Sequence, residues 1–201
     1  MTSTRQLDET LSKYVADFVA RNAAARTLKL QLDEVGVGFF PLADHLTFRT
    51  DDIDRRAQEF LELGYTFSET LHYDDWFAKV YRKPGYPALF IDQAYPGERG
   101  KTCVIPRWVA KFGDRTLHHI AVRVQDIEVA MNRLQRAGVP FAGSIVGDRG
   151  GVLRQVFTVP EQVDGEPFSV MELTERHEGY QGFSPPQADS LMKSTMKART
   201  G

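Results

Sequence analysis

Apolar side chains at Leu7, Leu11, Tyr14, Val15, Phe18 and Val19 recur at the spacing of a helix with one buried stripe. The pattern predicts an amphipathic helix over roughly residues 5–27, packed on the body of the chain or on a second copy of it in a homodimer. From Leu46 the period changes. Leu46–Thr50 and Ile120–Val124 are short runs of aromatic and aliphatic residues, several of them β-branched, that suit half-buried strands. Helical spacing follows each run, through Ile53, Ala57, Phe60 and Leu61 and again through Ile127, Ala130, Met131 and Leu134. Asp52 or Asp51, and Asp126, stand where an N-cap is needed, and Gly64 and Gly138 where a left-handed residue closes a helix. Strand-like stretches then come at 66–71, 76–82 and 88–93, and again at 143–147, 153–159 and 168–174, with turn signals at Lys83-Pro-Gly and Asp164-Gly.

The second series repeats the first. Shifting the chain by 74 residues aligns His45 with His119, Arg49 with Arg123, Asp52 with Asp126, Ile53 with Ile127, Gly64 with Gly138 and Phe67 with Phe141. The predicted fold class is therefore α+β, two tandem βαβββ modules forming a curled sheet around a cleft, with an added N-terminal helix and a C-terminal tail helix. The boundaries follow: 1–42 for the N-terminal helix and its connection, 43–94 for module 1, 95–116 for a linker, 117–175 for module 2 and 176–201 for the tail. Ser184-Pro-Pro starts the tail helix, which continues from Ala188 to Ala198. Tyr180 and Phe183, large apolar residues in the connection before it, suggest a lid over the cleft mouth or packing elsewhere on the sheet or on a partner subunit.

Composition narrows the partners. In 201 residues, 25 Lys and Arg face 27 Asp and Glu, a net charge of -2 without a basic stripe, so nucleic acid is not an expected partner. No signal-like segment and no run of about 18 apolar residues occurs, so neither secretion nor a membrane is expected. The single Cys103 has no disulfide partner and no neighbouring thiolate for a metal, which fits a cytoplasmic protein whose metals, if any, sit on His and carboxylate.

Strand parity sorts the candidate chemistry. Leu46, Phe48 and Thr50, like Ile120, Val122 and Val124, go under the helix of their own copy, which leaves His45, Thr47 and Arg49 and their counterparts His119, Ala121 and Arg123 on the other face. On the last strand, Glu172 takes the face opposite Met171 and Leu173. Two imidazoles and one carboxylate from three strands make a facial set for a divalent first-row metal with positions left open, so His45, His119 and Glu172 are the expected ligands. Arg49 and Arg123 on that face need an anion, supplied either by an internal carboxylate (Asp52, Asp92 or Asp126) or by a substrate. Gln155 and Tyr81, on interior strands, are candidates for neutral hydrogen bonds to a substrate.

Asp44-His-Leu, His118-His-Ile-Ala-Val and Val170-Met-Glu-Leu are similar to the ligand strands of the vicinal oxygen chelate superfamily, which includes glyoxalases, bleomycin-resistance proteins and extradiol dioxygenases. The resemblance covers about residues 43–175. It implies paired βαβββ modules curled around a metal cleft. The layout of one His from each first strand and one Glu from the final strand resembles that of the iron oxygenases, such as 4-hydroxyphenylpyruvate dioxygenase. The spacing of His45 and Arg49 is similar to that of the 2-oxoadipate dioxygenase family, in which such an Arg holds a substrate carboxylate. The resemblance thus implies a non-haem dioxygenase, with iron(II) ahead of zinc, nickel, cobalt or manganese, taking dioxygen and a small carboxylate-bearing or 2-oxo acid substrate. Glyoxalase-type isomerases instead use carboxylates from both last strands. Asp92 is the expected counterpart of Glu172 in the first copy, which keeps an isomerase or lyase, and beyond it a non-catalytic binding protein, as alternatives.

Overall fold

A computed structural model describes residues 4–197, so Ala198, expected in the tail helix, lies outside the described residues. Two compact units make up the chain, one built on the residues up to Tyr14 with His45–His118, the other on Val15–Asp44 with the residues from His119 onward. The observed fold class is the expected one, α+β with two tandem βαβββ modules. No helix among the described residues is long and apolar enough to cross a membrane.

The first unit contains β1 (Ala43–Arg49), α3 (Ile53–Glu62), β2 (Thr66–His72), β3 (Trp76–Arg82) and β4 (Ala88–Ala94), preceded by the start of α1 (Thr4–Arg21). Its strands lie in the order β2-β3-β4-β1, with β1 parallel to β4 and the other pairs antiparallel. Asp52 begins α3 by accepting a hydrogen bond from Arg55 N at 3.1 Å, and Gly64 ends it at φ +83°, a conformation open to glycine at little cost. Phe60 of α3 packs edge-on to Phe48 at 5.5 Å and to Tyr81 at 5.8 Å, forming the core of one sheet face. The expected linker contains a further helix, α4 (Val104–Phe112), whose Trp108 lies under the Arg49 guanidinium at 5.2 Å on the opposite face.

The second unit repeats the plan with β5 (Leu117–Val124), α5 (Ile127–Arg136), β6 (Phe141–Val146), β7 (Leu153–Thr158) and β10 (Val170–Arg176), in the order β5-β10-β7-β6. A short hairpin of β8 (Gln162–Val163) and β9 (Glu166–Pro167) fills the turn before β10. Asp126 caps α5 through Val129 N at 2.9 Å. The tail helix α6 (Pro185–Lys197) starts at the predicted prolines, and its Leu191, 2% exposed, packs with Phe157 and Val170.

The expected single helix over 5–27 is two helices, α1 and α2 (Ala23–Glu34), broken at Asn22. Asn22 has extended backbone, its Oδ1 accepts from Ala25 N at 3.0 Å, and its Nδ2 donates to Ser169 Oγ at 3.1 Å. Apolar periodicity runs through such a break because it does not register a capping side chain.

Candidate metal centre

In the first unit the face opposite α3 carries His45, Thr47 and Arg49 from β1 beside Ala88, Phe90 and Asp92 from β4, paired in parallel register. His45 is buried, with its ring 5.0 Å from that of Phe90. Thr47 is buried too, and its Oγ1 has no hydrogen-bond partner among the described residues. Arg49 and Asp92 attract each other within this buried face. Burial pushes the Asp92 carboxyl up to about 7, against the pull of Arg49 and His45, and burial lowers Arg49 to about 10 against the opposing effect of Asp92. Arg49 therefore stays cationic at neutral pH, and the Asp92 carboxyl accompanies it. Cys103, just before α4, is pushed up to about 11, chiefly by burial, and is a thiol rather than a thiolate.

In the second unit the corresponding face carries His119 and Ala121 from β5, Val170, Glu172 and Thr174 from β10, and Phe157 and Gln155 from β7. Glu172 is 1% exposed. Its Oε1 accepts two hydrogen bonds, from Gln155 Nε2 and from Thr174 Oγ1, each at 2.6 Å. Its Oε2 lies 3.6 Å from His119 Nε2. Phe157 stands opposite Glu172 in the ladder, with its ring 5.3 Å from the His119 ring, and closes one side of the pair with apolar surface.

The strand registers correct the expected equivalence of Glu172 and Asp92. His45 pairs with Ala88 and His119 with Val170, so two residues further along Phe90 matches Glu172, and two beyond that Asp92 matches Thr174. The helix caps verify the match. Gln93 Oε1 accepts from Ile53 N at 2.6 Å in the first unit, and Glu175 Oε2 accepts from Ile127 N at 2.6 Å in the second. The offset between the last strands is therefore larger than the 74-residue shift of the first strands, because the second copy holds the β8–β9 hairpin. Sequence spacing alone could not locate that insertion.

Other expected site residues are placed differently. Tyr81 is not on the His45 face: it pairs with Leu89, and its ring meets Phe60 and Phe67 on the α3 side. Parity counted across the β2–β3 turn would have placed it there. Arg123 is exposed at the end of β5, whereas Arg49 is buried. Gln155 shares the face of Glu172, as expected of an interior polar residue, but its amide is engaged by the carboxylate. His118 lies against Trp108 at 5.7 Å, His72 stacks on Tyr95 at 6.2 Å, and His177 bonds Glu175 at 2.7 Å.

The donor chemistry fits a divalent first-row ion. His119 and Glu172 stand together in the second unit and His45 takes the matching place in the first, a donor set of two imidazoles and one carboxylate, and the buried Glu172 carboxylate is anchored at Oε1 by two protein donors. This βαβββ pairing and this donor set define a glyoxalase-like class of protein. Residues 44–153 match the Glyoxalase/Bleomycin resistance protein/Dioxygenase superfamily, and the chain belongs to it.

Among solved structures, the chain is similar to a protein of Shewanella frigidimarina NCIMB 400 provisionally named a hydrolase (TM-score 0.73, 19% identity, 92% of this chain and 99% of that one covered). It is also similar to a mutant 4-hydroxymandelate synthase of Streptomyces coelicolor (TM-score 0.61, 19% identity, 81% of this chain and 57% of that one). A third likeness is to methylmalonyl-CoA epimerase of Mycobacterium tuberculosis (TM-score 0.52, 18% identity, 76% and 94%). At these identities the likeness is one of fold. No curated protein matches the chain by sequence.

Proposed function

We propose that the chain is a metal-dependent oxygenase, using iron(II), that acts on a small carboxylate-bearing or 2-oxo acid substrate, with His45, His119 and Glu172 as the metal ligands. The observation that carries this reading is Phe90 in the place matching Glu172, which leaves two imidazoles and a single carboxylate as the ligand set. A bound divalent ion would act there as a Lewis acid toward a chelating oxo acid and would bring dioxygen beside it.

The chain's own residues do the remaining work in this proposal. Arg49, buried and cationic, offers guanidinium donors to a substrate carboxylate, and its partner Asp92 offsets part of that charge. Phe90 and Phe157 exclude water beside the imidazoles. The second reading, a glyoxalase-type isomerase, draws support from Asp92. A carboxyl pushed up to about 7 on the face of His45 suits a general base at neutral pH.

Oxygen uptake with a panel of 2-oxo acids and catechols tests the choice. Substrate-dependent oxygen consumption that requires iron(II) is expected. Turnover that needs metal but proceeds at the same rate under argon would favour isomerisation, and ligand binding that survives loss of both imidazoles, without turnover, would favour a binding protein.

A further inference from the structure

Glu172 sits in an arrangement more specific than a buried carboxylate requires. Thr174 lies two residues along the same strand, on the same face, and Gln155 is its direct partner across the β7–β10 ladder. The two side chains converge on one oxygen, Oε1, at 2.6 Å each, while Oε2 is the oxygen on the His119 side at 3.6 Å from Nε2. Turning the carboxylate to present both oxygens toward His119 would break both hydrogen bonds in a setting where Val170 and Phe157 offer no replacement. The first copy has neither part of this device, since Phe90 and Asp92 stand at the matching positions.

We infer that Gln155 and Thr174 are positioning residues that hold Glu172 as a one-oxygen ligand. The inference rests on the metal reading above and deepens it. In the proposed ligand set, two imidazoles and one carboxylate oxygen would take three places of a six-coordinate divalent ion and would leave three. That number admits a ligand that chelates through two oxygens together with one further small molecule, whereas a chelating carboxylate would leave only two places. The clamp therefore bears on what the site can hold. It also reassigns Gln155, whose amide serves the carboxylate of Glu172 rather than a substrate.

Manganese(II) is a suitable probe, because its inner-sphere water can be counted from water-proton relaxation and its affinity read from the same titration. Gln155→Met and Thr174→Val each keep side-chain size and remove a donor; Thr174→Ser keeps the hydroxyl. The clamp predicts that wild type and Thr174→Ser bind one ion with the same relaxivity. It predicts that Gln155→Met and Thr174→Val bind roughly ten- to a hundred-fold more weakly, the usual effect of removing an outer hydrogen-bond partner. In the double variant the inner-sphere part of the bound-ion relaxivity should fall by about a third, from three exchangeable waters to two.

Unchanged affinity and relaxivity in the folded donor-deleted variants would overturn the clamp, as would equal losses in Thr174→Ser and Thr174→Val, which would mark a packing role. Failure of the wild type itself to bind manganese(II), cobalt(II) or iron(II) would overturn the metal reading instead, so the two failures are distinguishable.

Discussion

Phe90 and Glu172 occupy matching places on the last strands of the two copies, and the proposed oxygenase reading rests on that difference in one residue. Because Phe90 holds the ligand position of the first copy, Asp92 is not required for metal binding under this account. Asp92→Asn is expected to keep metal content at the wild-type level; loss of metal in a folded Asp92→Asn protein would restore Asp92 as a ligand.

A second residue-scale prediction concerns Glu128. Bonds from Arg154 at 2.6 and 2.8 Å hold its carboxylate well below the usual range, at about 2, and the same bonds to Glu128, first among several, raise the Arg154 guanidinium. A depressed folded-state value contributes stability above the unfolded value near 4.5, and that stability is lost as pH falls toward 2. Glu128→Gln should therefore flatten the fall of the melting temperature between pH 4.5 and 2 and leave little change in slope from pH 6 to 8. An acid limb unchanged by the substitution would contradict the assignment. The residues of this network were legible only as charges in the sequence, since Arg154, Glu128 and Glu175 come from three separate elements.

Among the elements, those with strong periodicity and explicit ends were readable from the chain. The caps Asp52 and Asp126, the closing glycines Gly64 and Gly138 and the prolines opening α6 all stand where local chemistry puts them. The break at Asn22 was hidden because the partner that fixes it, Ser169, is 147 residues away. Helix α4 was hidden within an apparent linker, although its Trp108 and Ile105 are buried.

The sequence allows the tail to be either a lid or a remote packing element, and the contacts of α6 bear on that choice. Leu191 packs on Phe157 and Val170, residues of the face that carries His119 and Glu172. The connection before it is held by Arg176, which donates to Gly182 O at 2.7 Å, lies over the Phe183 ring at 4.7 Å and pairs with Asp44 at 2.7 Å. Leu191→Ala should cost about 2–5 kcal/mol of stability, as a buried leucine does, and should loosen the Phe157 wall beside His119. Chemical denaturation and oxo-acid affinity measured on the same variant check this. A variant with wild-type affinity despite the lost stability would show that α6 only buttresses the sheet.

For the molecule as a whole, the internal repeat was the most informative feature of the sequence, because it placed His45 and His119 at equivalent points of two βαβββ modules. Strand parity then put both imidazoles on the faces away from α3 and α5, and the structure of each unit agrees. What the repeat could not supply was the pairing of the last strands, which depends on an inserted hairpin, and the donors around Glu172, which depend on cross-strand register.

The proposed function requires that one metal ion take one ligand from the first module and two from the second. Metal content per chain after loading with iron(II) under anaerobic conditions tests it most directly. Wild type should hold one ion, and His45→Ala, His119→Ala and Glu172→Ala should each fall below about a tenth of that while staying folded, since removal of any one of three ligands leaves two. Full occupancy in a folded His45→Ala protein, or two ions per wild-type chain, would contradict the account.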